Sequence, residues 1–207
     1  MWNAECGTSN SALHVPRSTF HAVFVVSAPS GAGKHTVLQR VLSGDPNVVY
    51  SISATTRPPR AGEQDGRDYH FIDRAAFMRR REAGEFVEWA EVHGYLYGTL
   101  HGELERRITS GKDVILQIDV QGMRNLKKLR PDTVAVFIMP PSLEVLEQRL
   151  RSRGTNDDRD IALRLENARR EIDAANEFDY VIVNNKLDDA VADMQAIIRA
   201  ERCRNRH

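Results

Sequence analysis

Short apolar runs alternate with segments of helical periodicity along most of the chain. Four of the runs have the length of a buried strand: Ala22–Val26, Val114–Ile118, Val134–Ile138 and Tyr180–Val183. Helical spacing is found over Thr36–Leu42, after an N-cap at Ser142 with Leu143, Leu146 and Leu150, along Ile161, Leu165, Ala168 and Ile172, and over Leu187–Arg202. The alternation predicts an α/β fold, in which helices cover both faces of a parallel sheet.

The middle of the chain breaks this rhythm. Between residues 51 and 98 it carries short aromatic-rich pieces at Tyr69–Ile72, Phe86–Val92 and Tyr95–Tyr97, interrupted by a helix-like segment near Arg74–Glu82. Such pieces are typical of a small mixed β lobe inserted into an α/β core. We therefore expect an irregular tail over residues 1–18 and one domain over 19–207, with its core at 19–50 and 100–207 and its lobe at about 51–99.

Composition and charge exclude several classes of protein. The 207 residues include 29 Lys and Arg and 29 Asp and Glu, and a net charge of zero disfavours non-specific nucleic-acid binding. Cys6 and Cys203 lie near opposite ends and make neither a disulfide scaffold nor a zinc site. No apolar run reaches the ~18 residues of a membrane span, and the N-terminus lacks a signal-peptide core. We expect a cytoplasmic protein with no membrane or nucleic-acid partner, whose oligomeric state the sequence leaves open.

A candidate phosphate-binding loop follows the first strand and opens the first helix. It comprises Ala28, Pro29, Ser30, Gly31, Ala32, Gly33, Lys34, His35 and Thr36. Small residues let backbone N–H groups close round phosphate oxygens, and the helix N-terminus adds its positive dipole. The lysine can reach the β- and γ-phosphates of a bound nucleotide. Position and composition together favour phosphate binding over a glycine-rich turn that binds nothing.

The loop departs from the strict G-x-x-x-x-G-K-[ST] pattern at two positions. Ala28 replaces the first glycine, which adds only one methyl group, and His35 replaces the Ser or Thr that normally ligates Mg²⁺. Mg²⁺ prefers oxygen ligands, so an imidazole is a poor substitute. Thr36 lies ~100° further round the helix and cannot simply take over. We expect Mg²⁺ to be held largely by phosphates and water.

An arginine-containing loop carries the most specific signal. Arg57 and Arg60 flank two prolines that stiffen the loop, and two guanidinium groups suit one phosphate gripped from two sides. The order phosphate loop, S-x-T-T-R-x-P-R-x-G-E, D-Y-x-F, E-F-V-E-W-A, Y-G-T and I-D-x-Q-G resembles that of guanylate kinases over about residues 20–202. The resemblance implies a P-loop nucleoside monophosphate kinase fold, with a GMP-binding lobe at about 51–99 and a lid at about 149–164.

The resemblance also implies which residues of the lobe and its surroundings bind GMP. They are Ser53, Arg57, Arg60, Tyr69, Glu88, Tyr97, Thr99 and Asp119. The two arginines and the two tyrosine hydroxyls would hold the phosphate. Glu88 would accept hydrogen bonds from the guanine N1–H and N2 amine, a donor pair that adenine lacks. Ser53, Thr99 and Asp119 would contact the remaining edges of the base.

On the ATP side, the resemblance implies that Lys34 acts with the lid arginines Arg149, Arg153 and Arg164. Phosphoryl transfer needs charge neutralisation and in-line positioning more than covalent help, which these cations would supply. Asn184, after the last strand, would lie near the adenine. Gln117 is a further departure, because the family usually has an acidic residue at this position near Mg²⁺.

The implied activity is the ATP-dependent phosphorylation of GMP or dGMP to GDP or dGDP, in purine nucleotide metabolism, with Mg²⁺ as cofactor. Two alternatives stay open: a kinase of another small acceptor, such as a ribose bisphosphate, and a catalytically impaired binding module. The guanine-reading set with Glu88 disfavours the first alternative. Lys34 and the loop glycines disfavour the second, whereas His35 and Gln117 keep it open.

Overall fold

The computed structural model describes residues 21–60, 62–92, 94–152 and 158–204. The predicted tail, Cys6 and Arg153 lie outside this part of the chain. In chain order the strands are β1 (Val23–Ser27), β2 (Val48–Tyr50), β3 (Ala54–Thr55), β4 (His70–Phe71), β5 (Phe86–Val92), β6 (Tyr95–Leu100), β7 (Asp113–Gln117), β8 (Val134–Met139) and β9 (Tyr180–Val183). The α-helices are α1 (Lys34–Gly44), α2 (Arg74–Glu82), α3 (His101–Ile108), α4 (Val120–Leu129), α5 (Leu143–Ser152), α6 (Asp158–Asp173) and α7 (Leu187–Cys203), and a 3₁₀ turn covers Ala174–Glu177.

The core is a five-stranded parallel sheet in the order β2-β7-β1-β8-β9. All five residues of β1 are buried, which explains the unbroken apolar run that predicted this strand. After β1 the chain forms β2 and β7 on one flank of this central strand, and later β8 and β9 on its other flank. The direction in which strands are added therefore reverses at β1, which is the topological switch point of the sheet. Ligands of such sheets bind at the carboxyl ends of the strands near that point.

Helices cover both faces of this sheet, as the alternating pattern predicts. On one face, α1 and α7 bury Val37, Leu38, Met194 and Ile198 against the strands. On the other face, α3, α4 and the 3₁₀ turn complete a second apolar cluster. Within the described ranges, no helix is long and apolar enough to cross a membrane.

The inserted lobe contains a separate four-stranded sheet in the order β4-β3-β6-β5. The sheet is mixed, because β3 and β4 are parallel while β6 runs antiparallel to both β3 and β5. Helix α2 covers it and has the predicted bounds. Phe77 of α2 stacks on Phe86 of β5 with 4.3 Å between ring centroids, so the lobe has a small apolar core of its own.

A buried carboxylate ties the lobe to the core. The Glu103 side chain, on α3 where the chain returns from the lobe, is 1% exposed and accepts hydrogen bonds from Arg107 Nε at 2.7 Å and, more weakly, from Ile52 N at 3.5 Å. Arg106 lies 2.9 Å away, and His70 of the lobe lies 3.8 Å away. Ile52 lies where the chain enters the lobe and His70 belongs to lobe strand β4, so Glu103 links two parts of the lobe to the point where the chain returns to the core.

Among the strands and α-helices of the core, three have no counterpart among the sequence predictions. Strand β2 is only three residues long, too short for a periodic signal. Helix α3 buries only Leu104 among its apolar residues and is otherwise mostly charged. Helix α4 begins at Val120, directly after the Asp119 N-cap, so its apolar residues merge with those of the preceding strand in the sequence.

Candidate active site

The phosphate loop joins β1 to α1 at the carboxyl edge of the sheet, in the context predicted for it. Ala32 N donates to Pro29 O at 3.0 Å, and Ala32 is fully buried while Ser30 is exposed. Gly33 caps α1 with φ near +89°, a conformation that residues with a Cβ rarely adopt. The loop therefore turns sharply into the first turn of the helix, where backbone N–H groups are left for an anion.

Lys34 begins α1 and is partly buried. Removal from water lowers the pKa of Lys34, and the carboxylates of Glu171 and Asp119 oppose this change by favouring the ammonium form. Two acidic residues on different elements, Glu171 of α6 and Asp119 in the turn after β7, therefore favour the charged form of Lys34. We call the region around these three side chains the cleft.

Glu171 is a residue of this cleft that sequence reasoning missed. Burial raises the pKa of Glu171 to about 7, Lys34 opposes the rise and Asp119 adds to it. The sequence contains one signal that could have identified it: Glu171 lies seven residues after Arg164 on α6, which places both side chains on one face of the helix. Arg164 Nη1 donates to Ser30 Oγ at 3.0 Å, so the same face touches the phosphate loop.

Three predicted guanine-binding residues lie together between the lobe and α4. Glu88 pairs with Thr99 across β5 and β6, is 6% exposed, and accepts a hydrogen bond from Thr99 Oγ1 at 2.7 Å. A Cβ on Gly122 would lie 3.0 Å from Glu88 Oε2, so the first turn of α4 approaches this carboxylate closely. Asp119 caps that turn and accepts from Gly122 N at 2.7 Å. Ser53 is half-buried near the lobe strand β3.

An irregularity in β5 directs Glu88 toward the cleft. The pairing with β6 shifts register between Phe86 and Glu88, as expected of a β-bulge. Phe86 packs in the lobe's own core, whereas Val87 packs in the main core. Burial raises the pKa of Glu88 to about 7; the Thr99 hydrogen bond opposes the rise and the charge of Asp119 adds to it.

The predicted phosphate-binding residues also lie on one surface of the lobe. Arg57 is 9% exposed and donates to the two carboxylate oxygens of Glu63 at 2.8 and 2.9 Å. Arg60 lies nearby with an exposed side chain, and its backbone N–H donates to Glu63 at 2.7 Å. The Arg57 guanidinium lies 5.5 Å from the Tyr69 ring centroid, and the Tyr69 and Tyr97 rings meet edge to face at 6.0 Å. A bound phosphate would compete with Glu63 for Arg57.

Of the predicted lid arginines, two belong to the described residues. Arg149 donates through Nη2 to Asn184 O at 3.0 Å and through Nη1 to Ala32 O at 3.4 Å, while Arg164 contacts Ser30. Both guanidinium groups therefore reach the phosphate loop. Asn184 is buried against the same loop, with its side chain on the backbone of Ala32.

The positions that depart from the usual Mg²⁺ ligands do not form a metal centre by themselves. His35 and Thr36 are exposed on the first turn of α1, and Gln117 ends β7. In the part of the chain that is described, no group of three or more His, Cys, Asp or Glu side chains is placed to hold a metal ion.

Comparisons with known proteins agree with the resemblance found in the sequence. The sequence model of the family "Guanylate kinase" matches residues 21–201. The chain belongs to the guanylate kinase family. It is 52% identical to guanylate kinase of Aromatoleum aromaticum over 187 residues, covering 89% of this chain and 92% of that protein. It is 49% identical to guanylate kinase of Thermotoga maritima over 182 residues, covering 88% of each.

A solved structure supports the fold of this guanylate kinase family member. The crystal structure of guanylate kinase from Anaplasma phagocytophilum superposes with a TM-score of 0.73 at 36% identity, covering 90% of this chain and 89% of that one. The parallel core with an inserted mixed sheet is therefore the fold that the sequence predicts.

Proposed function

We propose that this guanylate kinase family member transfers the γ-phosphoryl group of ATP to GMP or dGMP, giving ADP and GDP or dGDP. The observation that carries the proposal is the position of Asp119 next to the lobe. Asp119 caps α4 by accepting from Gly122 N at 2.7 Å, and a Cβ on Gly122 would lie 3.0 Å from Glu88 Oε2 of the lobe. The same carboxylate favours the ammonium form of Lys34 in the phosphate loop. A triphosphate at the loop and a purine against the lobe would therefore share one cleft.

On the acceptor side, Glu88 is the group that selects guanine. Its ionised carboxylate accepts from N1–H and the N2 amine, whereas adenine offers no such donor pair. Thr99 fixes one carboxylate oxygen, which leaves the other toward the cleft and α4. Ser53 and Asp119 complete the base site, and Arg57, Arg60, Tyr69 and Tyr97 hold the phosphate.

On the donor side, the phosphate loop holds the β- and γ-phosphates with backbone N–H groups and Lys34. Arg149, Arg153 and Arg164 neutralise charge that spreads over the transferring group. An oxygen of the GMP phosphate attacks the γ-phosphorus in line as the bond to the ADP oxygen breaks. This oxygen is already a nucleophile, so no strong general base is required. The lobe at 51–99 and the lid at 149–164 are the parts that we expect to close.

Mg²⁺ would enter with the nucleotide. Because His35 and Gln117 stand where a hydroxyl and an acidic side chain are usual, the ion would be held largely by phosphate oxygens and water, as is common for this cation. When bound it would add charge neutralisation at the β- and γ-phosphates. As the sequence predicts, we expect the reaction to take place in the cytoplasm.

Acceptor specificity tests the proposal. Purified protein is assayed for ADP release with ATP, Mg²⁺ and each of GMP, dGMP, AMP, CMP, UMP and a ribose bisphosphate. We expect turnover with GMP and dGMP alone. Turnover with the ribose bisphosphate but not with GMP would instead identify a kinase of another acceptor. Binding of GMP without any turnover at high enzyme concentration would identify a binding module.

A further inference from the structure

Asn184 lies at the carboxyl end of β9, beside the phosphate loop. Its backbone N–H donates to Met139 O at 2.8 Å and so extends the pairing of β9 with β8. The residue is 5% exposed, which makes it one of the few buried polar residues of the core. A buried amide needs hydrogen-bond partners, and those of Asn184 are informative.

The Asn184 side chain binds the backbone of the phosphate loop. Its Nδ2 donates to Ala32 O at 2.7 Å. Arg149 Nη1 donates to the same carbonyl at 3.4 Å, and Arg149 Nη2 donates to Asn184 O at 3.0 Å. Within one trans peptide unit the C=O and the following N–H point in opposite directions. Holding the Ala32 carbonyl therefore fixes the direction of the Gly33 N–H, which points away from Asn184.

Gly33 and Asn184 fit each other sterically. A Cβ at Gly33 would lie 2.4 Å from Asn184 Nδ2, a distance that the packed amide cannot accommodate without moving. Gly33 also has φ near +89°, where a side chain would be strained in any case. The amide thus occupies the space that the missing side chain leaves, directly against the turn into α1.

We propose that Asn184 is a positioning residue of the phosphate loop: through the Ala32 carbonyl it holds the loop in the shape that receives the triphosphate, and it does not read the adenine. The proposal rests on the proposed function only in taking ATP as the donor. It differs from the adenine contact that the family resemblance implies, and the two roles make different predictions for a ligand without a base.

Inorganic tripolyphosphate provides that ligand. Calorimetry measures the binding of ATP and of tripolyphosphate, each with Mg²⁺, to the wild type and to Asn184→Ala. Loss of one buried hydrogen bond on the loop predicts that both ligands bind roughly tenfold more weakly, by the same factor. GMP binding stays within twofold, and the KM for ATP rises while the KM for GMP does not. Asn185→Ala is the matched control, because Asn185 is the exposed neighbour on the same turn.

The outcomes separate the alternatives. Weaker ATP binding with unchanged tripolyphosphate binding would overturn the proposal in favour of a base contact, and unchanged binding of both would overturn it outright. If Asn184→Ala is poorly folded, Asn184→Asp keeps the side-chain shape but removes the donor, and the same comparison applies. Because tripolyphosphate binding is measured without GMP, failure of the proposed function would show separately, as absence of GMP turnover by the wild type.

Discussion

Replacement of Glu88 by Gln separates recognition of guanine from stability of the fold. In the folded protein burial raises the pKa of Glu88 to about 7 from an ordinary value of 4.5. Between these values the folded state keeps a proton that the unfolded state has released, so stability falls as the pH rises from 4.5 through 7. The shift corresponds to about 3 kcal/mol once Glu88 is ionised in both states.

Glu88→Gln removes this cost, since Gln is neutral and can still accept from Thr99 Oγ1. We expect the free energy of unfolding to rise by up to about 3 kcal/mol at pH 8 and to change little at pH 4. The same variant loses the charged acceptor for the guanine donors, which weakens GMP binding by about 1–3 kcal/mol, or roughly 5- to 150-fold, with ATP binding little changed.

Urea unfolding at the two pH values measures the stability, and calorimetry measures the affinity for each nucleotide. In the wild type GMP binding should release a proton near pH 7, seen as a dependence of the binding heat on the buffer, and in Glu88→Gln this dependence should disappear. Glu171→Gln is the control, because Glu171 has a pKa of about 7 too but lies on the ATP side. Equal loss of GMP and ATP affinity in Glu88→Gln would refute the guanine assignment.

Three further substitutions test other parts of the account. His35→Ser should raise the affinity for Mg²⁺ or the turnover, because it restores a hydroxyl at the usual ligand position; an unchanged Mg²⁺ dependence would show that position 35 is not at the metal. Glu171→Gln removes a carboxylate that favours the ammonium form of Lys34, so the alkaline limb of kcat/KM for ATP should move to lower pH, and an unmoved limb would contradict this pairing. Arg202→Met leaves the carboxylate of Asp113, which is 1% exposed and lies 2.6 Å from Arg202 Nε, without its cation, so unfolding experiments should show a loss of about 2 kcal/mol at unchanged kcat/KM.

Much of the fold follows from local pattern. Each predicted core strand has a counterpart within one residue at either end, because a fully buried strand requires an unbroken apolar run. Helix α2 matches its predicted bounds, since Asp73 caps it and accepts from Ala76 N at 2.7 Å. Helix α4 could not be separated from β7 in this way, because a turn of two residues leaves no break in the apolar pattern.

The candidate site could be predicted less completely from the sequence, because its decisive contacts join residues that are distant in the chain. The motifs predicted that Glu88 and Arg57 matter, but not that Thr99 fixes one oxygen of Glu88 or that Glu63 occupies the Arg57 guanidinium. Likewise, no spacing rule links Asn184 to Ala32, 152 positions away. The Asn184 contact depends on how the end of β9 meets the phosphate loop, which only the folded structure specifies.

The central claim is that one cleft holds both nucleotides, with the triphosphate at the phosphate loop and the guanine against Glu88. Inhibition by a molecule in which adenosine and guanosine are joined through a polyphosphate chain tests it most directly. The account predicts competition with ATP and, independently, with GMP, and affinity well above that of either nucleotide alone. Competition with only one of the two substrates would mean that the loop and the lobe serve separate sites.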